Sequence, residues 1–221
     1  MTKSETKPIY FVPGMGTDKK IFERVRLPKQ KYETHIIEWL QPEENEPLQH
    51  YVKRMAENIV HDNPILVGVS FGGVIVQEMK EILTPDKTII VSSVKSRQEF
   101  PRYMRFGSVT KLYKLLTATG ILSVSDLGKL GWNASAKKRL RKMQPYLNVR
   151  DQQYISWAIK NMVEWDREEE DPSVYHIHGT SDEIFPIKYI DKCRKIENGT
   201  HAMILNKTPS IIDEIVKIVE S

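Results

Sequence analysis

Disulfide bonds within the chain are excluded, because the 221-residue sequence has one cysteine, Cys193. Nothing in this cysteine usage indicates an oxidising compartment. Long apolar runs are also missing, and none is long enough to cross a bilayer. Residues 1–7 are polar and lack the apolar stretch of a signal peptide. The sequence therefore predicts a cytoplasmic protein with no membrane span.

A strong excess of charge is missing as well. The formal net charge is +4, which does not by itself indicate nucleic acid as a partner. The positive charge is concentrated in Lys137-Lys138-Arg139 and Arg141-Lys142. We interpret this cluster as the solvated face of a helix, and an anionic partner is the alternative.

One stretch carries most of the information, the turn around Ser70. The β-branched apolar run that precedes it predicts a buried strand, and the residues after it have helical spacing. Ser70 therefore lies at the apex of a Gly-x-Ser-x-Gly turn. Gly68 and Gly72 occupy places where larger side chains would collide with the neighbouring strand and helix. The helix N-terminus favours negative charge beside the serine. The alternative is a glycine-rich turn with an idle serine.

Strands and helices alternate along much of the chain. Apolar runs predict strands at 9–12, 33–39, up to Ser70, 88–92, 173–178 and 193–197, and helical spacing predicts helices at 48–60, from Ser70 to about Leu83, and at 211–219. This order predicts an α/β fold with a mostly parallel sheet flanked by helices, in a single domain over 1–221. Residues 95–165 have helical patterns without a strand. We interpret them as a helical lid inserted after the fourth predicted strand, above the loop of Ser70.

Reactive side chains follow several of these strands. In a parallel sheet, ligands bind beyond the carboxyl ends of the strands. A serine needs an imidazole to take its proton, and the imidazole needs a carboxylate to hold its tautomer. Ser70, Asp182 and His201 each follow a predicted strand and supply these three groups. Glu183 is the immediate rival of Asp182, and both Asp182 and His201 have the alternative interpretation of plain turn residues.

This order of serine, acid and histidine resembles the α/β-hydrolases over nearly the whole chain. Residues 174–186 fit the family pattern of a strand, His-Gly, an aspartate after two intervening residues and then a proline, which matches Asp182 to the family's acid. Residues 198–204 resemble the histidine region of small lidded esterases, among them plant methylesterases and their hydroxynitrile-lyase relatives. Two departures concern the substrate more than the chemistry. Pro13-Gly14 stands where the family often has His-Gly, and Val69 precedes the serine.

The resemblance also implies an oxyanion hole. Its first donor is the N–H after the nucleophile, which belongs to Phe71. Its second donor comes from the first loop, where Met15 matches best and Gly16 is the neighbour in reserve. Such a preset donor is worth roughly 3 kcal/mol to the transition state.

The other histidines and the cysteine have plainer interpretations. His176 and His178 share one face of a strand, but no third ligand accompanies them, so no metal site is predicted. His178 resembles the family's structural histidine before glycine. Three further histidines lie on elements with no reactive partner nearby, namely His35, His50 and His61. Cys193 lacks an adjacent base and is interpreted as a small buried hydrophobe.

Together these features predict a serine hydrolase that cleaves an ester or thioester of a small-to-medium apolar acyl compound, without a cofactor or metal. Two alternatives stay open. One is a small-molecule binding protein on the same fold, and the other is a lyase or C–C hydrolase that uses the same three groups. The acyl chain length and the oligomeric state do not follow from the sequence.

Overall fold

A computed structural model describes residues 6–102, 104–105 and 144–221. The strands of these residues are β1 Lys7–Val12, β2 Tyr32–Ile36, β3 Ile65–Val69, β4 Lys87–Val91, β5 Val174–Gly179 and β6 Arg194–Ile196. The helices are α1 Leu48–Ala56, α2 Phe71–Lys80, α3 Gln152–Glu164, α4 Met203–Asn206 and α5 Thr208–Val219, accompanied by short 3₁₀ helices at Lys19–Phe22, Arg97–Glu99, Gln144–Tyr146 and Ile187–Tyr189.

The six strands form one sheet in the order β2-β1-β3-β4-β5-β6, and every neighbouring pair is parallel. All five residues of β3 are buried, as expected of a central parallel strand covered on both faces. The predicted fold class, a parallel sheet flanked by helices, is confirmed. All strands point the same way, so the loops that follow β1, β3 and β5 lie together at the carboxyl ends of the strands.

Two apolar layers cover the faces of the sheet, and β1 shows how the chain separates them. Tyr10 and Val12 pack on the face covered by α1, α2 and α3. Ile9 and Phe11 pack on the other face, against α5 and the first 3₁₀ helix. This alternation follows from the two-residue period of a strand. The sheet is thereby a rigid support for the loops at its edge.

Several elements are shorter than predicted. The second strand ends at Ile36 instead of Trp39, and the Trp39 indole turns to donate to the carbonyl of Gly14 at 3.2 Å. Helix α1 ends at Ala56, where the next N–H groups tighten into i→i+3 hydrogen bonds. Among the described residues, no helix combines the length and the apolar character that crossing a membrane requires.

The predicted lid at 95–165 is described only at its two ends. The first end contains the 3₁₀ helix Arg97–Glu99, and the second contains α3. Most of the predicted lid, together with the basic cluster at 137–142, lies outside the described residues.

Candidate active site

Ser70 lies at a sharp turn between β3 and α2. Its backbone has φ 54° and ψ −119°, a region that costs a non-glycine residue about 1–3 kcal/mol. A Cβ at Gly68 would overlap the backbone of Gly72, and a Cβ at Gly72 would overlap the carbonyl oxygens of Val12 and Pro13. The two glycines therefore allow the strand and the helix to approach closely enough to expose the serine.

A second serine holds this turn, and sequence reasoning missed it. The hydroxyl of Ser93 donates to the carbonyl of Ser70 at 2.7 Å, and the Ser70 N–H donates to the carbonyl of Val91 at 2.9 Å. A Cβ at Gly73 would collide with the Ser93 side chain. The only sequence signal for this contact is a serine pair just after β4.

The structure brings Ser70, His201 and Asp182 together. Nε2 of His201 lies 2.9 Å from the Ser70 hydroxyl, although the two residues are 131 positions apart. Nδ1 of His201 lies 3.0 Å from one carboxylate oxygen of Asp182 and 3.2 Å from the other. An ionised carboxylate can only accept, so Nδ1 carries the proton and Nε2 is free to accept from the serine. This is the tautomer that a histidine base needs.

Asp182 is fixed from two sides. Besides the imidazole, its Oδ1 accepts the backbone N–H groups of Ile184 at 2.8 Å and Phe185 at 2.9 Å. Burial alone would raise the pKa of the Asp182 carboxyl, but the charge and hydrogen bond of His201 help to hold the pKa below its usual value. The carboxylate therefore stays ionised beside the imidazole. Of the two rival acids, Asp182 is the one whose carboxylate contacts His201.

Two buried histidines support the loop that carries Asp182. Nε2 of His178 lies 2.8 Å from the carbonyl of Phe185, which can only accept, so this nitrogen carries a proton. Nδ1 of His178 then accepts from Nε2 of His176 at 3.0 Å. Burial lowers the pKa of both imidazoles, so both are neutral. This arrangement leaves His178 no lone pair for a metal ion. The two histidines instead support the loop behind Asp182.

The loop after β1 passes beside the serine. A Cβ at Gly14 would lie 3.5 Å from the Cβ of Ser70, so the backbone of this loop closely approaches Ser70. The carbonyl of Gly14 accepts the N–H and hydroxyl of Thr17 at 3.0 and 2.7 Å, which fixes the turn.

Gly16 has φ 74°, a conformation that glycine adopts without strain. Phe71 is the first residue of α2, and Met15 is half-buried. The donor roles of Phe71, Met15 and Gly16 stay predictions.

The sequence matches no protein-family model and no curated protein. Solved structures do match. A hydrolase from Pseudomonas aeruginosa PA01 has a TM-score of 0.72 at 9% identity, covering 98% of this chain and 91% of that one. A thermophilic esterase from Thermogutta terrifontis has a TM-score of 0.69 at 12% identity, covering 99% and 91%. A bromoperoxidase from Bacillus anthracis has a TM-score of 0.67 at 15% identity, covering 99% and 93%.

The chain has the α/β-hydrolase fold. Ser70 lies on the sharp turn between β3 and α2, the kind of strand-to-helix turn that carries the serine nucleophile in this fold, and its role as a nucleophile stays a prediction. The likeness to the solved structures extends over nearly the whole chain, as the sequence resemblance predicts.

An aromatic cluster lies beside the turn of this α/β-hydrolase fold. The indole of Trp39 stacks on the ring of Phe71 with centroids 5.6 Å apart and contacts Tyr154 at 5.3 Å. Trp157 meets Phe71 edge-on at 6.1 Å. Tyr154 and Trp157 belong to α3, at the described end of the predicted lid. No motif in the sequence joins these residues to Phe71, the neighbour of Ser70.

Three histidines have partners that the sequence did not predict. His35 and His61 lie near Glu33, and His50 lies near Glu43 and Glu46. The expectation that no reactive group is nearby is therefore wrong for all three. Glu33 is two positions from His35 and Glu46 is four positions from His50, so only His61 meets its carboxylate from a distant segment. Cys193 is half-buried, and burial raises the pKa of its thiol, which disfavours a nucleophilic thiolate.

Proposed function

We propose that this protein is a serine hydrolase that cleaves an ester or thioester of a small-to-medium apolar acyl compound. One observation carries the proposal. The His201 imidazole lies within hydrogen-bond distance of both the Ser70 hydroxyl and the Asp182 carboxylate. The occurrence of an esterase among the structural neighbours supports the same reaction class.

In the proposed first half-reaction, Ser70 attacks the carbonyl carbon of the substrate. As the new C–O bond forms, the serine proton moves to Nε2 of His201, and the carbonyl electrons move onto oxygen. The N–H groups of Phe71 and of Met15, or of Gly16 in its place, would hold that oxyanion. His201 then gives its proton to the departing alcohol or thiol, which leaves an acyl group on Ser70.

In the second half-reaction, water attacks the acyl-enzyme. His201 takes a proton from the water and returns one to Ser70, which releases the carboxylic acid. Asp182 holds the Nδ1 proton and stabilises the imidazolium that forms in each half-reaction. The reaction needs only these groups, so we propose no cofactor.

The apolar character of the substrate rests on the surroundings of the turn. Phe71 of the aromatic cluster directly follows Ser70 in the chain, Trp39 and Trp157 pack on its ring, and Tyr154 packs on Trp39. We propose that the insertion at 95–165 forms a lid whose second end packs this cluster, in which Phe71 and Tyr154 are buried, behind the acyl group. Burial of acyl CH₂ groups there would contribute about 0.8 kcal/mol each to binding.

A fluorophosphonate probe and p-nitrophenyl esters of increasing chain length test this function. The wild-type protein should be labelled at Ser70 and should hydrolyse at least one ester. Ser70→Ala should lose both properties and remain folded, because the turn keeps its two glycines. Ser210→Ala, at an exposed serine of α5, is the matched control and should retain both.

Three outcomes would contradict the proposal, and they differ in what they indicate. Labelling that persists in Ser70→Ala would place the nucleophile elsewhere. Tight binding of acyl ligands without labelling or turnover would indicate a binding protein. Labelling at Ser70 without hydrolysis of any ester would indicate a lyase or C–C hydrolase.

A further inference from the structure

A group of three side chains lies at β2, the outermost strand of the sheet on one side. Glu33 and His35 are two positions apart on this strand, so they share one face. His61, in the segment between α1 and β3, reaches the same face. One ligand atom from each of the three residues lies within 4.8 Å of the others. Two segments far apart in the sequence therefore bring two imidazoles and one carboxylate together.

The contacts within the group are not aligned as hydrogen bonds. Nε2 of His35 lies 3.0 Å from a carboxylate oxygen of Glu33, yet among the described residues this buried nitrogen has no aligned hydrogen-bond partner. Nε2 of His61 lies 3.9 Å from the other oxygen. Ligands that share a tetrahedral zinc ion at 2.0–2.1 Å lie roughly 3.3 Å from one another. The three ligand atoms, at 3.0 and 3.9 Å from Glu33 and all within 4.8 Å of one another, are thus close to the spacing that one shared ion requires.

Tyr10 supports both imidazoles from β1. Its ring stacks on His35 with centroids 4.6 Å apart and an interplanar angle of 17°. Its hydroxyl lies 2.6 Å from Nδ1 of His61. The hydroxyl also accepts the backbone N–H of Val60 at 3.3 Å. With a metal ion on Nε2 of His61, its Nδ1–H would donate to the same hydroxyl. Such a partner on the second nitrogen is the usual companion of a metal-bound histidine.

A second group, Glu43, Glu46 and His50, provides a contrast. Its central carboxylate, Glu46, already accepts two hydrogen bonds from Arg54 at 2.8 and 2.7 Å, and the backbone N–H of Glu43 at 2.8 Å. The hydrogen bond from Arg54 is the largest influence that lowers the pKa of Glu46, to about 2. A guanidinium thus already neutralises this carboxylate. Glu33, in contrast, forms its ion pairs among the described residues with His35 and His61 alone.

We propose that Glu33, His35 and His61 bind a divalent transition-metal ion, with zinc as the ion that the donor set fits best. Two imidazole nitrogens and one carboxylate oxygen suit zinc and leave a fourth position for water. The side chain of Glu33 is 50% exposed, that of His61 33% and that of His35 31%, so an ion can approach from solvent past Glu33 and His61 to the buried Nε2 of His35. The bound ion would fasten the outermost strand to the segment before β3. It would have no part in the reaction at Ser70.

Isothermal titration of zinc into the untagged, chelator-treated full chain tests the site. The wild-type protein should bind one zinc ion per chain here. His35→Gln and His61→Gln should each weaken this binding by about tenfold or more. The matched control is His50→Gln, in the second group, which should leave the affinity unchanged. Magnesium should not bind, because it prefers oxygen ligands.

Thermal unfolding gives a second measurement that does not depend on activity. Zinc should raise the melting temperature of the wild-type protein and of His50→Gln, but not of His61→Gln. Circular dichroism without zinc should show that the variants are folded, since all three proposed ligands are partly exposed. If one of them does not fold, Glu33→Gln provides the same test. Zinc binding that is absent from the wild type, that is lost in His50→Gln, or that is equal in the wild type and His61→Gln would overturn the proposal.

Discussion

Two regions of the molecule each place a pair of histidines near a carboxylate, and they do so in different ways. At the carboxyl edge of the sheet, His176 and His178 are buried behind Asp182. At the β2 edge, His35 and His61 are about one-third exposed beside Glu33. In the first region, both nitrogens of His178 form hydrogen bonds. In the second, Nε2 of His35 has no aligned partner among the described residues.

The difference shows that burial and hydrogen bonding decide what a histidine can do. His176 and His178 are two positions apart on a strand and share one face, yet the sequence predicts no metal site because no third ligand accompanies them. In the structure, a carbonyl and a neighbouring imidazole occupy the nitrogens of His178. His35 and His61 come from separate segments, and their Nε2 atoms lie 3.0 and 3.9 Å from Glu33 oxygens. The buried pair therefore stabilises a loop, and the partly exposed pair is the one for which we propose a ligand.

The largest effect should come from His201, whose imidazole contacts both Ser70 and Asp182. His201→Ala should lower kcat/KM for the best p-nitrophenyl ester by about 10³-fold or more, because the serine loses its base. His50→Ala, on α1, is the control and should leave kcat/KM within about twofold. Equal activity in the two variants would show that His201 is not the base for Ser70.

The next largest effect should come from the carboxylate of the buried region. Asp182→Asn should lower kcat by about 10³-fold, because an amide N–H facing Nδ1 favours the wrong imidazole tautomer. The oxygen of the asparagine can still accept from Ile184 and Phe185, so the loop should stay folded. Glu183→Gln is the matched control. A silent Asp182→Asn together with an inactive Glu183→Gln would reverse the assignment of the acid.

A smaller effect, on stability, should come from His176. His176→Leu leaves Nδ1 of the buried His178 without its donor, which should lower the free energy of unfolding by about 2 kcal/mol. His176→Gln keeps an N–H donor near the same place and should cost less. Urea unfolding at pH 7.5 measures both. Equal losses in the two variants would mean that packing, and not the hydrogen bond, is what His176 provides.

The pH dependence of stability gives a second test of the buried pair His176 and His178. Burial lowers the pKa of both imidazoles below the unfolded value of about 6.5. The unfolded chain therefore binds more protons below pH 6.5, so their contribution is fully present above that pH and is lost as pH falls. Each imidazole should contribute at most about 1.4 kcal/mol per pH unit to this loss. His176→Gln should have a shallower slope between pH 6.5 and 5 than the wild type. An unchanged slope would show that His176 takes no part in it.

The smallest effect should come from the partly exposed group of Glu33, His35 and His61. Without metal, Glu33→Gln should change the free energy of unfolding by no more than about 0.5 kcal/mol, because exposed ion pairs contribute little. Urea unfolding in the presence of a chelator measures it. A large loss would mean that the group has a structural role of its own, as the buried pair does.

Much of the fold follows from local patterns. Runs such as Ile65–Val69 predict buried parallel strands, and the two-residue period of β1 divides its side chains between two cores. The glycines around Ser70 predict the sharp turn, because only the absence of a Cβ permits the observed approach to Val12 and Gly72. β2 and α1 end earlier than the sequence predicts. The Trp39 indole donates a hydrogen bond to the carbonyl of Gly14 instead of continuing the strand, and i→i+3 hydrogen bonds tighten the last turn of α1.

The sequence by itself determined which residue types follow each strand, and so identified Ser70, Asp182 and His201 as candidates. Only the tertiary structure decided that Asp182 and not Glu183 meets the imidazole, that Ser93 holds the turn, and that Glu33 converges with His61. The physical reason is that strand and turn propensities act between near neighbours in the chain. A contact between residues 131 positions apart depends on how the parallel strands stack and which way each side chain leaves the backbone.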